Sequence, residues 1–435
     1  MRVLEKVVLL SFLVLLGVPG ILGLALNGDL SPRWKWLRSG ALQGARHELK
    51  AASLTRKNWF HTAFQDYATA RANDTFFGRE LLIRSLNEVL YRGFGKSYMS
   101  NEAIIIGKRH DLFESDYLAY FGHFAPAAPD GFLEQLTDGI ALLRQRFRSL
   151  GSEVIVVITP SKTTLYPEDV PDRFRTRLGK DTPTLVPTGY RRLIQLLQQK
   201  RVPLVDGRAL SLERVHDLPV RGFPKTGTHW TYSLACFTAQ ALLNELGTLK
   251  GARYPLIEQR NPRIDHSPEW VEADLFYLLN LLERPRDRYL HVDFCRRDTS
   301  PEGRLGSLTF VGGSFTHEII EVLERAKAVR QIAYYNYFDV FVEHWPAQSL
   351  IQRPDIAQIP WDHDFRRTDA VVLEMNESVI ENPEHVGRFI KAASEFLDPP
   401  QARLSIPPDA NACTPVVLLR AGQKQVNESR KFPTK

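Results

Sequence analysis

A serine that follows two glycines is the first residue of this sequence with the setting of a catalytic nucleophile. Ser314 comes directly after Gly312 and Gly313, which end the apolar run Leu308–Val311, and an amphipathic stretch begins at Phe315. Glycines permit a tight turn between strand and helix, and N–H groups at a helix N-terminus suit an oxyanion. The pattern indicates acyl transfer through Ser314, with Gly313 as an oxyanion candidate. The alternative is a serine that only caps the helix.

A histidine in a second segment is the candidate general base. His229 lies within Phe223–Thr231, immediately before a predicted helix over residues 231–246. A histidine at the junction of a loop and a helix is placed where it can accept the proton of a serine at a strand end. Otherwise His229 is an ordinary packed surface residue. Asn336, within Tyr334–Tyr337, is a second oxyanion candidate, although a turn asparagine is the simpler explanation.

The elements that must position these residues alternate between strands and helices. Continuous apolar runs predict buried strands at residues 154–159, 202–205, 308–311 and 370–375. Helix-like patterns fall at residues 132–150, 187–200, 231–246, 315–328 and 384–396. This alternation predicts an α/β fold with a mainly parallel sheet covered by helices on both faces, whose site lies at the carboxyl ends of the strands. An insertion at 251–305, with a helix over 268–282, interrupts the pattern.

The composition excludes several classes of function. The 435 residues contain 43% hydrophobic and 24% charged residues, which is ordinary for a folded protein. The net charge of +6 comes without a basic run interleaved with aromatics, so nucleic acid is not an expected partner. We find no ligand spacing for zinc or calcium and no phosphate-binding loop, and therefore predict no metal and no cofactor. Three cysteines without a CxxC pair make no disulfide framework.

The first 27 residues predict a membrane anchor. Arg2 and Lys6 precede the uncharged stretch 7–26, and Asp29 ends it. Such a length matches the roughly 20 residues that a helix needs to cross a bilayer. A cleaved signal peptide is the alternative, with Gly23–Ala25 as the candidate cleavage site. Either interpretation exports the rest of the chain, so we expect an inner-membrane-anchored protein that faces the periplasm.

Five segments in the same order along the chain carry a resemblance to a known family. They are Phe94–Ser97 with Ala103–Phe113, Val156–Lys162 with Tyr166–Glu168, Val205–Asp206, Lys225–Trp230 and Gly312–Phe315. Together they resemble the alginate O-acetyltransferase family, the AlgX- and AlgJ-like proteins with an SGNH-hydrolase-like fold that acetylate exported polysaccharides. The fourth segment is similar to the family's DTHW box and the fifth to its serine box. The resemblance covers most of residues 70 to 400.

The resemblance implies that Ser314 is the nucleophile and His229 its general base. An acetyl-enzyme on Ser314 would pass its acetyl group to a hydroxyl of an alginate-like polysaccharide. The acetyl group would arrive through a multi-spanning membrane acyltransferase as partner. The expected organisation is an anchor at 1–27, a juxtamembrane linker at 28–75, the acetyltransferase domain at 76–400 with its insertion at 251–305, and a tail at 401–435.

One position departs from the family pattern. The family has an aspartate two residues before the histidine, where this chain has Gly227. That carboxylate holds the imidazole in its productive tautomer, and its loss costs orders of magnitude in rate. Three hypotheses remain: a Ser-His dyad, a substitute carboxylate from Asp206 or Glu343, or a catalytically weak relative that binds polysaccharide or scaffolds a complex. A carbohydrate esterase that uses the same residues with water as the acceptor is a further alternative.

Overall fold

The computed structural model describes residues 51–75, 78–98, 103–121, 128–175, 188–297 and 305–397, together with the single residues Ser11, Val14, Leu42 and Gln43. Apart from Ser11 and Val14, the predicted anchor at 7–26 lies outside the described residues, and so does the tail at 401–435. Within the described ranges, no helix is both long and apolar enough to cross a membrane.

The described residues form the following strands, in chain order. They are β1 Ile104–Ile106, β2 Leu112–Glu114, β3 Glu153–Thr159, β4 Leu204–Asp206, β5 Leu256–Asp265, β6 Tyr289–Arg297, β7 Gly306–Gly312, β8 Val329–Asn336, β9 Phe341–Trp345, β10 Ser349–Gln352 and β11 Ala370–Asn376. The α-helices are α1 Arg56–Phe60, α2 Ala63–Thr75, α3 Arg79–Phe94, α4 Ser115–Phe121, α5 Phe132–Ser149, α6 Lys162–Leu165, α7 Asp172–Arg175, α8 Thr188–Gln199, α9 Gly207–Arg214, α10 Tyr232–Lys250, α11 Asp274–Leu278, α12 Thr316–Arg325 and α13 Glu384–Leu397.

The chain divides into two compact units. The first comprises Met1–Ile104, Phe276–Arg284 and Ala412–Lys435, and the second comprises Ile105–Leu275 and Pro285–Asn411. Within the first unit, α3 holds the segment 276–284 through side chains on one face. Arg84 donates to the carbonyl of Leu281 at 2.9 Å, and Asn87 donates to that of Leu279 at 2.8 Å.

The second unit is built on a sheet in the order β10-β9-β8-β7-β11-β3-β4. The strands from β8 to β4 run parallel, while β9 and β10 form an antiparallel hairpin at one edge. The mainly parallel α/β sheet predicted from the sequence is therefore confirmed, and each predicted strand overlaps an observed one. The carboxyl ends of β3, β7, β8 and β11 meet at one edge of the sheet.

Helices cover both faces of this sheet. Side chains alternate along β11: Val372 belongs to the core that α10 and α12 form with one face, whereas Val371 and Leu373 belong to the core formed with α5, α8 and α13. Strands β3, β7 and β11 are consequently buried over their whole length. Burial on both faces explains why their sequences are continuous apolar runs.

The insertion differs from the prediction. The helix expected over 268–282 is wrong, because the segment instead forms a 3-10 turn at Trp270–Glu272 followed by the short helix α11, with the hairpin β5–β6 around them. The break falls at Ala273, whose φ of −137° and ψ of 23° lie outside the helical range. This break gives Asp274, the first residue of α11, an orientation that a continuous helix would not give it.

Candidate active site

Ser314 lies in the turn that joins the carboxyl end of β7 to α12. Both of its neighbours, Gly313 and Phe315, are buried, while Ser314 itself is partly exposed. The N-cap position of α12 belongs to Phe315, and no side chain caps this helix. The alternative in which Ser314 serves as the helix cap is therefore wrong.

The turn is fixed from within the sheet by Glu374, a buried carboxylate near the carboxyl end of β11. Its Oε2 accepts a hydrogen bond from the N–H of Gly313 at 2.7 Å and another from the hydroxyl of Thr316 at 3.0 Å. Its Oε1 accepts from the hydroxyl of Thr159 at 2.5 Å. A side chain at Gly312 would place its Cβ 2.7 Å from the Glu374 Cβ, so only glycine fits. The prediction that Gly313 is an oxyanion donor is corrected, because Glu374 already takes its N–H.

Asn336, the second predicted oxyanion donor, supports the same turn indirectly. It lies at the carboxyl end of β8, and its Nδ2 donates to the hydroxyl of Tyr334 at 2.6 Å. That hydroxyl donates in turn to the carbonyl of Gly313 at 2.6 Å. One of the two N–H groups of the Asn336 amide is used in this way, and the prediction that this residue is an oxyanion donor stays a prediction.

His229 and the serine turn come together, as the sequence predicts for one site. The imidazole lies against the ring of Phe315, the residue after Ser314, with 4.9 Å between ring centroids. The indole Nε1 of Trp230 lies 3.2 Å from both the carbonyl of Phe315 and Oε2 of Glu318, and donates to them. The Nε2 of His229 is buried and has no hydrogen-bond partner among the described residues. It is therefore available to accept a proton.

The carboxylate that orients His229 is Asp274. A hydrogen bond of 2.8 Å joins its Oδ2 to the Nδ1 of His229. Its Oδ1 accepts from the backbone N–H groups of Thr228 at 2.9 Å and Leu275 at 2.8 Å. With Nδ1 bound to a carboxylate, the proton of the neutral imidazole stays on Nδ1 and Nε2 keeps its lone pair.

Asp274 replaces the two carboxylates that were predicted as substitutes. Asp206 caps α9 by accepting from the N–H of Ala209 at 2.9 Å, and it also accepts from the hydroxyl of Tyr190 at 2.5 Å. Glu343 lies on β9, opposite Tyr334 in the antiparallel register. Asp206 and Glu343 were each expected to bond to His229. Asp274, which lies 45 positions after the histidine, makes that hydrogen bond instead.

Gly227 has no room for a side chain at the position where the family pattern has an aspartate. A Cβ at this position would lie 2.7 Å from the carbonyl oxygen of Glu272 and 2.8 Å from that of Val271. The backbone just before Asp274 therefore occupies the space that a side chain at residue 227 would need. The carbonyl of Gly227 accepts a hydrogen bond from the buried Lys162 at 2.9 Å, which holds the loop from its other side.

We expect Gly227→Ala to destabilise the fold and lower activity. Its methyl group would collide with backbone atoms, and overpacking of this kind costs roughly 1–3 kcal/mol. Gly227→Asp, which would restore the family's aspartate, should therefore bring no gain in activity. Thermal unfolding and acetyl-ester turnover measure both effects. The matched control is Gly387→Ala, because a Cβ at that helical glycine meets no atom within 4 Å. A Gly227→Ala variant as stable and active as the parent would contradict the close approach.

Acidic groups surround the imidazole and set its basicity. Desolvation lowers the pKa of His229, but the charges of Glu318 and Asp274 outweigh it and raise the pKa to about 9. Burial raises the pKa of Glu318 to about 8, against the opposing effect of His229. Desolvation, assisted by the charge of Asp274, raises the pKa of Glu114 to about 7. Because these groups lie close together and their charges influence one another, their titrations are coupled.

We expect acyl-transfer activity to rise as the pH increases through about 9, the pKa of His229, because only the neutral imidazole accepts the serine proton. Glu318→Gln removes a negative charge that stabilises the imidazolium, so the pKa of His229 should fall. The rising limb of the plot of kcat/KM against pH should then move to lower pH. The dependence of kcat/KM on pH measures this shift. Glu321→Gln, on the same helix and paired with Arg325 at 3.0 Å, is the control and should leave the limb in place. Identical limbs in the parent and Glu318→Gln would contradict the assignment of His229 as the base.

Among the residues with described positions, no group of three or more His, Cys, Asp or Glu side chains is placed to hold a metal ion.

Comparison with known proteins gives a match in one part of the chain. Residues 104–266 match the family model described as an SGNH hydrolase-like domain, acetyltransferase AlgX. This segment includes His229 and ends before Asp274 and Ser314. No curated protein is significantly similar to the chain in sequence.

The solved structures that match the chain include three from bacteria. The O-acetyltransferase domain of Pseudomonas putida AlgJ is 19% identical, with a TM-score of 0.40 over 67% of this chain and 99% of that one. Pseudomonas aeruginosa AlgX is 12% identical, with a TM-score of 0.43 over 67% of each chain. Bacillus cereus PatB1 is 11% identical, with a TM-score of 0.35 over 64% of this chain and 96% of that one.

The family match and the sheet agree with each other. The mainly parallel sheet, with a serine turn and a histidine loop at the carboxyl ends of its strands, is an SGNH-hydrolase-like α/β fold. The resemblance of this chain to the alginate O-acetyltransferase family is confirmed by the match of residues 104–266 to the model of an SGNH hydrolase-like domain, acetyltransferase AlgX.

Proposed function

We propose that this chain transfers acetyl groups to hydroxyl groups of an exported polysaccharide through an acetyl-enzyme on Ser314. The observation that carries the proposal is the 2.8 Å hydrogen bond between Asp274 and Nδ1 of His229, in an imidazole that lies against Phe315. It supplies the carboxylate whose apparent absence favoured a Ser-His dyad or a catalytically weak binding protein. A serine, a histidine and an aspartate then act in the roles of a catalytic triad.

The proposed chemistry proceeds in two half-reactions. The Oγ of Ser314 attacks the acetyl carbonyl carbon while Nε2 of His229 takes the hydroxyl proton, and Asp274 stabilises the imidazolium. The leaving group of the donor departs with that proton, which leaves acetyl-Ser314 and a neutral imidazole. A sugar hydroxyl then gives its proton to Nε2 and attacks the acetyl carbon. Ser314 regains the proton as the acetylated sugar leaves.

The acceptor and the acetyl supply are proposed from the family resemblance. We take the acceptor to be an alginate-like polysaccharide and the supplier to be a multi-spanning acyltransferase of the inner membrane. The uncharged stretch at 7–26 supports an anchored protein whose second unit faces the periplasm. Protease added to spheroplasts should then degrade the second unit, whereas protection until the cells are lysed would contradict export.

A donor and acceptor assay separates this function from its alternatives. The purified chain is incubated with p-nitrophenyl acetate, alone and with mannuronate or cello-oligosaccharides, beside the Ser314→Ala variant. A transferase consumes the ester faster with the correct acceptor, and mass spectrometry finds the acetyl group on the sugar. An esterase releases acetate at the same rate with or without sugar and deacetylates acetylated alginate. Binding of the sugar without any ester turnover would favour a binding or assembly protein.

A further inference from the structure

Tyr337 lies directly against the nucleophile. Burial raises the pKa of Tyr337, and hydrogen bonds donated to its hydroxyl oxygen by the side chain and the backbone N–H of Ser314 oppose that rise. A Cβ built on Gly313 would meet Cε1, Cζ and the hydroxyl oxygen of Tyr337 at 3.2, 3.4 and 3.4 Å. The phenol end of the ring therefore covers the turn beside Ser314. Tyr337 itself is partly exposed.

The backbone that aims this ring is strained. Tyr337 has a φ of 45° and Phe338 a φ of 71°, in the left-handed region that residues other than glycine rarely adopt. Such a conformation is unfavourable for a residue with a side chain and persists only where surrounding contacts impose it. Here the N–H of Tyr337 donates to the carbonyl of Gly312 at 2.8 Å, and its carbonyl accepts from Arg388 at 2.9 Å.

Phe338 completes this support. It is fully buried and packs edge-on against Phe389 of α13, with ring centroids 5.6 Å apart, and beside Tyr335 of β8 at 6.2 Å. Anchoring Phe338 in the core fixes the chain direction just after Tyr337. The contacts of both residues therefore hold the phenol over Ser314.

Acyl transfer needs hydrogen-bond donors where negative charge develops on the carbonyl oxygen. Of the two donors expected from the sequence, the N–H of Gly313 is held by Glu374, and one of the two N–H groups of the Asn336 amide is held by Tyr334. We propose that the hydroxyl of Tyr337 is the side-chain donor that stabilises the oxyanion formed when Ser314 attacks the acetyl group.

Tyr337 donates a hydrogen bond in this step but keeps its proton. As the bond between Oγ and the carbonyl carbon forms, the π electron pair moves to the carbonyl oxygen, which accepts the hydrogen bond from Tyr337. When the leaving group departs, the pair returns and the hydrogen bond weakens. Desolvation raises the pKa of Tyr337 despite its hydrogen bonds with Ser314, so the phenol remains protonated, and hence a donor, where His229 is neutral.

This inference rests on the proposed function, and Tyr337→Phe tests it because the ring stays and only the hydroxyl is lost. The kcat for p-nitrophenyl acetate should fall by about 10²–10³-fold, with KM little changed. The rising limb of the pH profile, which reports the pKa of His229, should stay at the same pH. Methylboronic acid, which forms an anionic tetrahedral adduct on a catalytic serine, should bind more weakly by a comparable factor. Tyr190→Phe, whose hydroxyl contacts Asp206, is the matched control and should behave as the parent.

The outcomes separate this inference from the proposed function. Parent-like kcat and boronate affinity in Tyr337→Phe, with Ser314→Ala inactive, would overturn the role of Tyr337 and leave acyl transfer standing. A loss of kcat without a loss of boronate affinity would also overturn it, because the hydroxyl would then act through the position of the serine. Full activity in Ser314→Ala would remove the proposed function itself.

Discussion

Replacing Ser314 with alanine should abolish acetyl-ester turnover while the protein stays folded. Loss of a nucleophile that acts with a base and an orienting carboxylate removes the whole acyl-enzyme route, so a fall of roughly 10³–10⁶-fold in kcat is expected. The fold should tolerate the change because Ser314 does not cap α12. Its turn is held by Glu374 and Tyr334 through the backbone of Gly313.

Turnover of p-nitrophenyl acetate and thermal unfolding of the same preparations measure this prediction. Ser349→Ala is the control, because Ser349 is an exposed serine of β10 that lies 3.2 Å from the Nδ1 of His344, outside the proposed site. It should keep parental activity. Turnover that survives Ser314→Ala at the parental rate would exclude Ser314 as the nucleophile.

Asp274→Asn should lower kcat by about 10⁴-fold, with little change in KM. An asparagine can keep the bonds from the backbone of Thr228 and Leu275 through its Oδ1, so the local fold should remain. Its amide N–H would face Nδ1 of His229 and force the imidazole proton onto Nε2, where no proton can then be accepted. Since Asp274 also raises the pKa of His229, any residual activity should have its rising limb at lower pH.

Asp206→Asn and Glu343→Gln are the matched controls for this variant. Asp206→Asn should keep the cap of α9, because asparagine is as good an N-cap as aspartate. Both variants should retain parental kcat and pH dependence. Parental kcat in Asp274→Asn, or an equal collapse in Asp206→Asn, would show that the carboxylate has been assigned to the wrong residue.

The sheet was predictable because its strands are buried on both faces. Residues 154–159 and 370–375 are continuous apolar or nearly apolar runs, and they lie within β3 and β11. The junctions that carry Ser314 and His229 were predictable too, since each has neighbours with clear strand or helix patterns. The contacts of Phe315 with His229 and Trp230 bring the two junctions together.

The partners of these two residues were not predictable from local patterns. Asp274 reaches His229 from a segment whose pattern suggests one helix, and the break at Ala273 that orients it leaves no sequence signal. Gly227 was a sequence signal for this contact, because its missing side chain makes room for the backbone just before Asp274. Glu374 was visible as an acidic residue in an apolar run, but its contact with Gly313 depends on the pairing of β11 with β7.

The most direct test of the central claim is detection of the acetyl-enzyme. The purified chain is incubated with p-nitrophenyl acetate, quenched in acid and digested, and the peptides are sequenced by tandem mass spectrometry. We predict an acetyl group on Ser314 that accumulates without acceptor, is depleted when the acceptor sugar is added, and forms far more slowly in Asp274→Asn. Continued turnover with Ser314 unmodified at every time point, or with the acetyl group on another residue, would contradict catalysis by Ser314, His229 and Asp274.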